Sequence, residues 1–373
     1  PEVIAGQGTI GIEILRQHSE PLPSINVPDG GGGLIAGIAA YVKYVCPYTR
    51  IIGVEPEDSP SLYRAMKAGR RVTLKEVGLF ADGVAVKQIG KETFRIARKR
   101  VDEVVLVNTD EICAAIKDIF DDTRTVAEPA GALAVAGMKK YITERNIENE
   151  NVVAIESGAN INFDRLRHVA ERAELGEHRE ALLAVQIPET PGSFLRFCHI
   201  LGRRGITEFN YRYADERIAH VFCGVELAHG LDERREVIDL LCSKDYPVLD
   251  LSDNETAKLH VRYMVGGHAP QVEGERLFRF EFPERPGALL NFLSQIGQRW
   301  NISLFHYRNH GAAYGRVLVG LQLTNKNYRE LKDLMKRLGY RYSEETRNPA
   351  YQLFAGSGPI TELRTLLEET GDS

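Results

Sequence analysis

Five cysteines are spread through 373 residues, at Cys46, Cys113, Cys198, Cys223 and Cys242. The number is odd, and no two stand at a metal-ligand or redox spacing. A disulfide framework and a thiolate metal site are therefore excluded, and reduced thiols of a cytoplasmic protein are expected. None lies in an activating context, so no cysteine nucleophile is expected either. Long apolar runs are also missing: the longest uncharged one, Leu34 to Val42, is far too short to span a bilayer. Nor is there an excess of basic charge. Lys and Arg number 47 against 52 Asp and Glu, a net −5, which leaves no electrostatic footprint for nucleic acid or an anionic membrane. No signal peptide is visible. The chain opens at Pro1 with no initiator methionine and is expected to be an inner part of a longer protein.

What is present describes a globular chain of two or three domains, 43% hydrophobic and 27% charged. Up to about residue 163, helical and apolar segments alternate. Helices are expected over Thr9–Gln17, Leu34–Val45, Ser61–Ala68, Glu92–Arg100, Ile112–Phe120 (capped by Thr109-Asp110-Glu111) and Gly131–Tyr141. Strands are expected over Ile25–Val27, Arg50–Glu55, Val104–Val107 and Val152–Ile155. Such alternation implies a parallel sheet covered on both faces, with ligands at the carboxyl ends of its strands. Two loops fall on that edge: Gly30-Gly31-Gly32-Gly33, and Ser157-Gly158-Ala159-Asn160. Four consecutive glycines, entered from a strand and leading into a helix, read either as a flexible turn or as a phosphate cradle. In a cradle, bare N–H groups and a helix N-terminus converge on the anion.

Residues 164–180 are densely charged and read as an exposed connecting helix and linker. Beyond them the sequence repeats. Ile187 to Phe197 aligns with Phe282 to Phe292 at an offset of 95, with six of eleven positions identical. The stripe Phe194, Phe197, Cys198, Leu201 recurs in phase as Leu289, Phe292, Leu293, Ile296. After a one-residue insertion, Glu208-Phe209-Asn210-Tyr211-Arg212 matches Leu304-Phe305-His306-Tyr307-Arg308. Each copy, 181–253 and 276–350, is expected to be a ferredoxin-like βαββαβ module. The tail 356–373 should contain a helix over Thr361–Glu369.

Several ordered segments carry a resemblance. They are Ile4-Ala5-Gly6-Gln7-Gly8-Thr9, the tetraglycine loop, Asp82-Gly83-Val84-Ala85-Val86-Lys87, Ala127-Glu128-Pro129-Ala130-Gly131-Ala132 and Ser157-Gly158-Ala159-Asn160. Together with the paired Pro-Glu-x-Pro-Gly turns they resemble threonine dehydratases of the fold-type-II, pyridoxal-phosphate-dependent class. The resemblance implies an α/β chain: residues 1–163 as part of a tryptophan synthase β-like catalytic domain, then two ACT-like regulatory modules. It implies pyridoxal 5′-phosphate as cofactor, its phosphate at Gly30, Gly31, Gly32 and Gly33 and its pyridine nitrogen facing Ser157. It implies L-threonine as substrate, 2-oxobutanoate and ammonia as products, isoleucine as inhibitor, valine as counter-activator and a homotetramer. Tyr211 and Tyr307, in the same repeat phase, are candidates for the effector pocket, with core packing as the alternative.

The sequence also departs from that family. The family's Schiff-base lysine lies in a Ser-x-Lys-x-Arg-Gly-Ala segment, and neither that segment nor the later Ala-Gly-Asn-His occurs here. No catalytic residue can be named, and the chain alone is expected not to dehydrate threonine. Asp29 and Glu156 stand where the family has apolar residues, either as outward-facing charges or as marks of a non-catalytic amino-acid-sensing protein. Glu128 can be a plain helix cap, Asp82-Gly83 an ordinary turn, and Ser157 a strand-end residue. The acidic set Glu55, Glu57, Asp58 is read as solvated surface charge rather than a metal site.

Overall fold

Apolar runs bounded by glycine and proline become strands, and the amphipathic runs between them become helices. In the computed structural model, which describes residues 1–283, 288–296, 299–308, 314–338 and 341–356, the chain separates into two compact units, Pro1–Glu177 and His178–Ser373.

The first unit is a parallel sheet of β1 (Ser24–Pro28), β2 (Arg50–Pro56), β3 (Glu103–Val107) and β4 (Val152–Ala154) in the order β3-β2-β1-β4. Around it run α1 (Glu2–Gln17), α2 (Gly33–Val45), α3 (Ser61–Ala68), α4 (Lys91–Arg100), α5 (Thr109–Thr123), α6 (Pro129–Arg145) and α7 (Phe163–Gly176). Two apolar clusters form. Ile25, Val27 and Ile51 pack with Ile35 and Ile38 of α2, while Ile52 and Val54 pack with Ile116 of α5 and Leu133 of α6. Adjacent residues of β2 thus enter different clusters, as expected of a strand buried on both faces.

Three local expectations change. The first helix begins at Glu2, not Thr9: its glycines lower helix propensity, but a Cβ at Gly8 would stand 3.1 Å from the Gly37 carbonyl, and that close crossing of α1 and α2 selects the small residue. Helix α5 is capped by Asn108, whose side chain accepts from the Glu111 N–H while Glu111 returns the bond. Finally, α7 is not an exposed connector. It buries Val169, Ala173 and Leu175 in the first unit and anchors Arg172 to Asp110 at 2.7 Å. Its charge density hid a narrow apolar stripe.

The second unit confirms the repeat. Copy one is β5 (Glu180–Pro188), α8 (Ser193–Leu201), β6 (Ile206–Arg212), β7 (Ile218–Glu226), α9 (Gly230–Cys242) and β8 (Val248–Asp250). A short turn of helix, α10 (Arg262–Met264), follows. Copy two is β9 (Glu275–Pro283), α11 (Ala288–Ile296), β10 (Asn301–Arg308), β11 (Tyr314–Gln322), α12 (Asn325–Leu338) and β12 (Arg341–Glu344), and α13 (Pro349–Phe354) ends the described chain. The second Pro-Gly turn at 284–287 and the expected tail helix lie outside the described residues.

All eight strands join one antiparallel sheet, β12-β9-β11-β10-β6-β7-β5-β8. The copies meet edge to edge: β6 pairs with β10, Phe209 opposite Tyr307, Asn210 opposite His306 and Tyr211 opposite Phe305. Asn210 and His306 are repeat equivalents, so a local two-fold axis passes between them. Joining the modules this way removes two unpaired strand edges at once. On one face Phe209, Tyr211, Phe305 and Tyr307 enter a single core with α8 and α11.

The opposite face carries buried charge. Glu180 accepts from Thr207, and its repeat equivalent Glu275 accepts from Ser303. Each carboxylate lies beside a glycine, Gly224 or Gly320, where a Cβ would come within 2.8 Å of it. Arg212 spends its donors on Glu275 and on the Gly267, Ser303 and Ala355 carbonyls.

Candidate functional site

The candidate site grows from the C-terminal ends of β1 and β4, which are neighbours in the sheet. The β1 end runs into Asp29 and the four glycines, and the β4 end into Ser157-Gly158. Two other segments reach the same edge. A 3-10 turn, Asp82–Val84, passes so close that a Cβ at Gly30 would sit 2.9 Å from the Val84 Cα. Glu128, the N-cap of α6 with Pro129 behind it, donates its N–H to the Gly158 carbonyl at 3.0 Å. Its carboxylate also limits Gly158, where a Cβ would come within 2.3 Å of it, and its cap position forms no side-chain cap bond.

The tetraglycine loop is ordered by its carbonyls. Gly30 accepts from the Ser61 hydroxyl at 3.3 Å. Gly31 accepts from the Thr93 hydroxyl at 2.9 Å and the Gly90 N–H at 3.3 Å, and Gly32 from the Ala36 N–H at 3.0 Å. Gly32 has φ +85°, a left-handed conformation, and a Cβ there would strike the Thr93 hydroxyl at 2.6 Å. The N–H groups of Gly30 to Gly33 donate to no protein acceptor among the described residues. They sit at the N-terminus of the 13-residue α2, and the Cβ direction of Gly31 meets open space. Carbonyls tied to protein, free amides and a helix N-terminus together fit a phosphate monoester. A flexible turn would not need Ser61 and Thr93 to clamp it. Those two residues were not anticipated, because nothing in their local sequence points at a loop 31 or 62 residues away.

Of the two departures, Glu156 is exposed. Asp29 is 1% exposed, and neither carboxylate oxygen has a hydrogen-bond partner. Burial pushes the Asp29 carboxyl well above its usual range, and Glu55 pushes it further. The Gly32 and Gly30 amides draw it part of the way back without reaching hydrogen-bond geometry. Glu55 corrects the surface-charge expectation for its set: Glu57 and Asp58 are exposed, but Glu55 is fully buried. It accepts from the Leu62 and Tyr63 N–H groups at 2.7 and 2.8 Å and the Ser61 hydroxyl at 3.3 Å. Desolvation outweighs those donors and raises it to about 7. Of the two acids, Glu55 has hydrogen-bond donors around its carboxylate and Asp29 has none.

Ser157 lies exposed at the same edge, its hydroxyl 3.4 Å from the Ala130 carbonyl. In the second unit, Tyr211 and Tyr307 are each 1% exposed within the core. The Tyr211 hydroxyl donates to Glu189, which also accepts from Asn301 at 3.2 Å, next to the Pro191-Gly192 turn that starts α8.

A parallel sheet covered on both faces, with an anion-receptive glycine loop at its carboxyl edge, defines a phosphate-binding protein of the α/β class. A family model of pyridoxal-phosphate dependent enzymes matches residues 1–158. A model of the C-terminal regulatory domain of threonine dehydratase matches residues 171–261 and 266–355. The biosynthetic L-threonine dehydratase of Burkholderia multivorans is 57% identical over 357 residues, 95% of this chain and 70% of that protein. Its Escherichia coli counterpart is 55% identical over 354 residues, covering 95% and 68%. Among solved structures, the processed form of threonine deaminase isoform 2 from Solanum lycopersicum is 48% identical, with a TM-score of 0.46 over 46% of this chain and 47% of that one. The chain belongs to the threonine dehydratase family, whose cofactor is pyridoxal phosphate.

Proposed function

We propose that this chain supplies the cofactor-phosphate cradle and the regulatory half of an enzyme converting L-threonine to 2-oxobutanoate and ammonia. The observation that supports this most is the tetraglycine loop, with its carbonyls clamped and its amides free. Gly30 to Gly33 would hold the phosphate through N–H groups and the α2 N-terminus. Ser157, from the adjacent strand, would offer a neutral hydroxyl to the pyridine nitrogen. When bound, the cofactor supplies an electron sink for the carbanion left by loss of the substrate's α-proton. The second unit would bind isoleucine and valine, with the Tyr211 hydroxyl, Glu189 and the α8 N-terminus facing the ligand's ammonium and carboxylate. The buried Asp29 carboxyl beside the loop, with neither oxygen partnered, favours a second reading, a regulatory protein that senses amino acids without catalysis.

Three measurements test these readings. The 373-residue polypeptide, given pyridoxal phosphate and threonine, is expected to form no 2-oxobutanoate, since it contains no Ser-x-Lys-x-Arg-Gly-Ala segment. Robust turnover would refute that. Isoleucine should still bind, and Tyr211→Phe should weaken it about tenfold, the scale of one hydrogen bond. Equal affinity in Tyr211→Phe and Tyr307→Phe would remove both residues from the pocket. Retention of pyridoxal phosphate by the chain in equilibrium dialysis favours the enzymatic reading, and no retention favours the sensing one.

A further inference from the structure

Asp29 is the one feature of the glycine loop that opposes its proposed guest. It directly precedes Gly30, is buried, and both of its oxygens lack partners. Its backbone N–H is fixed to the Val54 carbonyl at 2.9 Å, which holds the residue in register with β2. Glu55, the next residue of that strand, is the charged group acting on it among the described residues. From the loop, only the Gly30 and Gly32 amides act on it, and Ser61 links Glu55 to the Gly30 carbonyl. Those two amides belong to the set that would receive a phosphate. An ionised Asp29, next to Gly30 in the chain, therefore competes with an anion for the same donors and repels it. A neutral Asp29 does neither.

We propose that the glycine loop is a proton-coupled anion site: a phosphate monoester enters it together with one proton from solvent, held on the Asp29 carboxyl. The proposal rests on reading Gly30–Gly33 as a phosphate cradle. Atoms balance simply, with carboxylate plus proton giving carboxylic acid and no other bond changing. The phosphate's negative charge strengthens the carboxyl's hold on that proton, so binding and protonation are reciprocal. Affinity then falls as pH rises, up to tenfold per unit wherever Asp29 is ionised in the free protein. The neutral side chain of Asn or Val at this position abolishes that component.

The test is calorimetric titration of the full chain with pyridoxamine 5′-phosphate, which cannot form a Schiff base. It is run from pH 6 to 9.5 in buffers of different ionisation enthalpy, on wild type, Asp29→Asn and Asp29→Val. Because all three bind the same probe, its own titrations cancel in the difference. Wild type should take up close to one more proton than either variant in the upper part of the range, and bind at least tenfold more weakly there, with the affinities converging toward pH 6. Circular dichroism at each pH checks the fold, and two neutral variants of different shape guard against a local packing effect. Equal proton uptake and affinity in all three proteins overturns the coupling while leaving the cradle intact. Binding by none of the three, at any pH, overturns the cradle and the proposal with it.

Discussion

Replacing Glu275 by alanine should destabilise the second unit by about 3–5 kcal/mol, the usual consequence of leaving a buried charge without its partner. Glu275 is 7% exposed as a residue, and its carboxylate collects Arg212 through two N–H groups, the Ser303 hydroxyl and the Tyr351 hydroxyl. With the carboxylate gone, the Arg212 guanidinium keeps its carbonyl acceptors but loses the ion pair it makes among the described residues. The readout is specific. The chain has one tryptophan, Trp300, 3% exposed in the core of this unit. Its fluorescence follows the second unit alone. The midpoint in a thermal melt should fall by roughly 10 °C. Replacing the pair together, as Arg212→Met with Glu275→Leu, should recover most of the loss, because the desolvation of both charges disappears. A single-variant loss below about 1 kcal/mol would mean that water reaches the pair.

The second large effect is a pH dependence of the first unit. Burial raises both Asp29 and Glu55. An acid whose folded value lies above its unfolded one favours folding at low pH, where it is protonated in both states. That stability is lost as pH rises from the unfolded range toward the folded value. For Glu55, raised from 4.5 to about 7, the loss amounts to about 3 kcal/mol across roughly pH 4 to 7.5. Asp29 adds a contribution of the same sign. Hydrogen exchange of the β1 and β2 amides should accelerate over that window beyond the intrinsic pH effect. Asp29→Asn should flatten the response, because it deletes one buried acid and lets Glu55 ionise more easily. A unit that grows more stable from about pH 4 to 7.5, or an Asn variant with the wild-type profile, contradicts the buried acid pair.

The sequence made the architecture readable where the signal is periodic or local. The strand-helix alternation of the first unit has a local cause in each segment, and the repeat is visible because the motif and the helical stripe recur in phase. The tetraglycine run announced a loop that needs its amides. Residues made legible only by distant contacts escaped. Nothing around Glu55 distinguishes it from Glu57 two residues on, yet one is buried beneath α3 by bonds to Leu62 and Tyr63 and the other faces solvent. Likewise, the joining of β6 to β10 is a pairing between residues almost a hundred positions apart, which no local pattern encodes. The four segments Gly30–Gly33, Asp82–Val84, Glu128 and Ser157-Gly158 were recognisable one by one, but their convergence at one edge follows from strand order. Tyr211 was found by repeat phase. That phase could not show that its ring belongs to the core and only its hydroxyl reaches the α8 turn.

The cradle itself is tested most directly at Gly31, whose Cβ direction meets nothing within 4 Å, unlike that of Gly30 or Gly32. A Cβ there meets no protein atom within 4 Å, and a carboxylate on it would add negative charge beside the amides proposed to hold the phosphate. Equilibrium dialysis of pyridoxamine 5′-phosphate against wild type and Gly31→Glu, paired with a melt of each, measures both consequences. The expected result is an unfolding midpoint within about 2 °C of wild type, on the scale of a surface substitution, together with loss of phosphate binding by at least a hundredfold. Undiminished binding in a folded Gly31→Glu protein would contradict the assignment of this loop as the phosphate site.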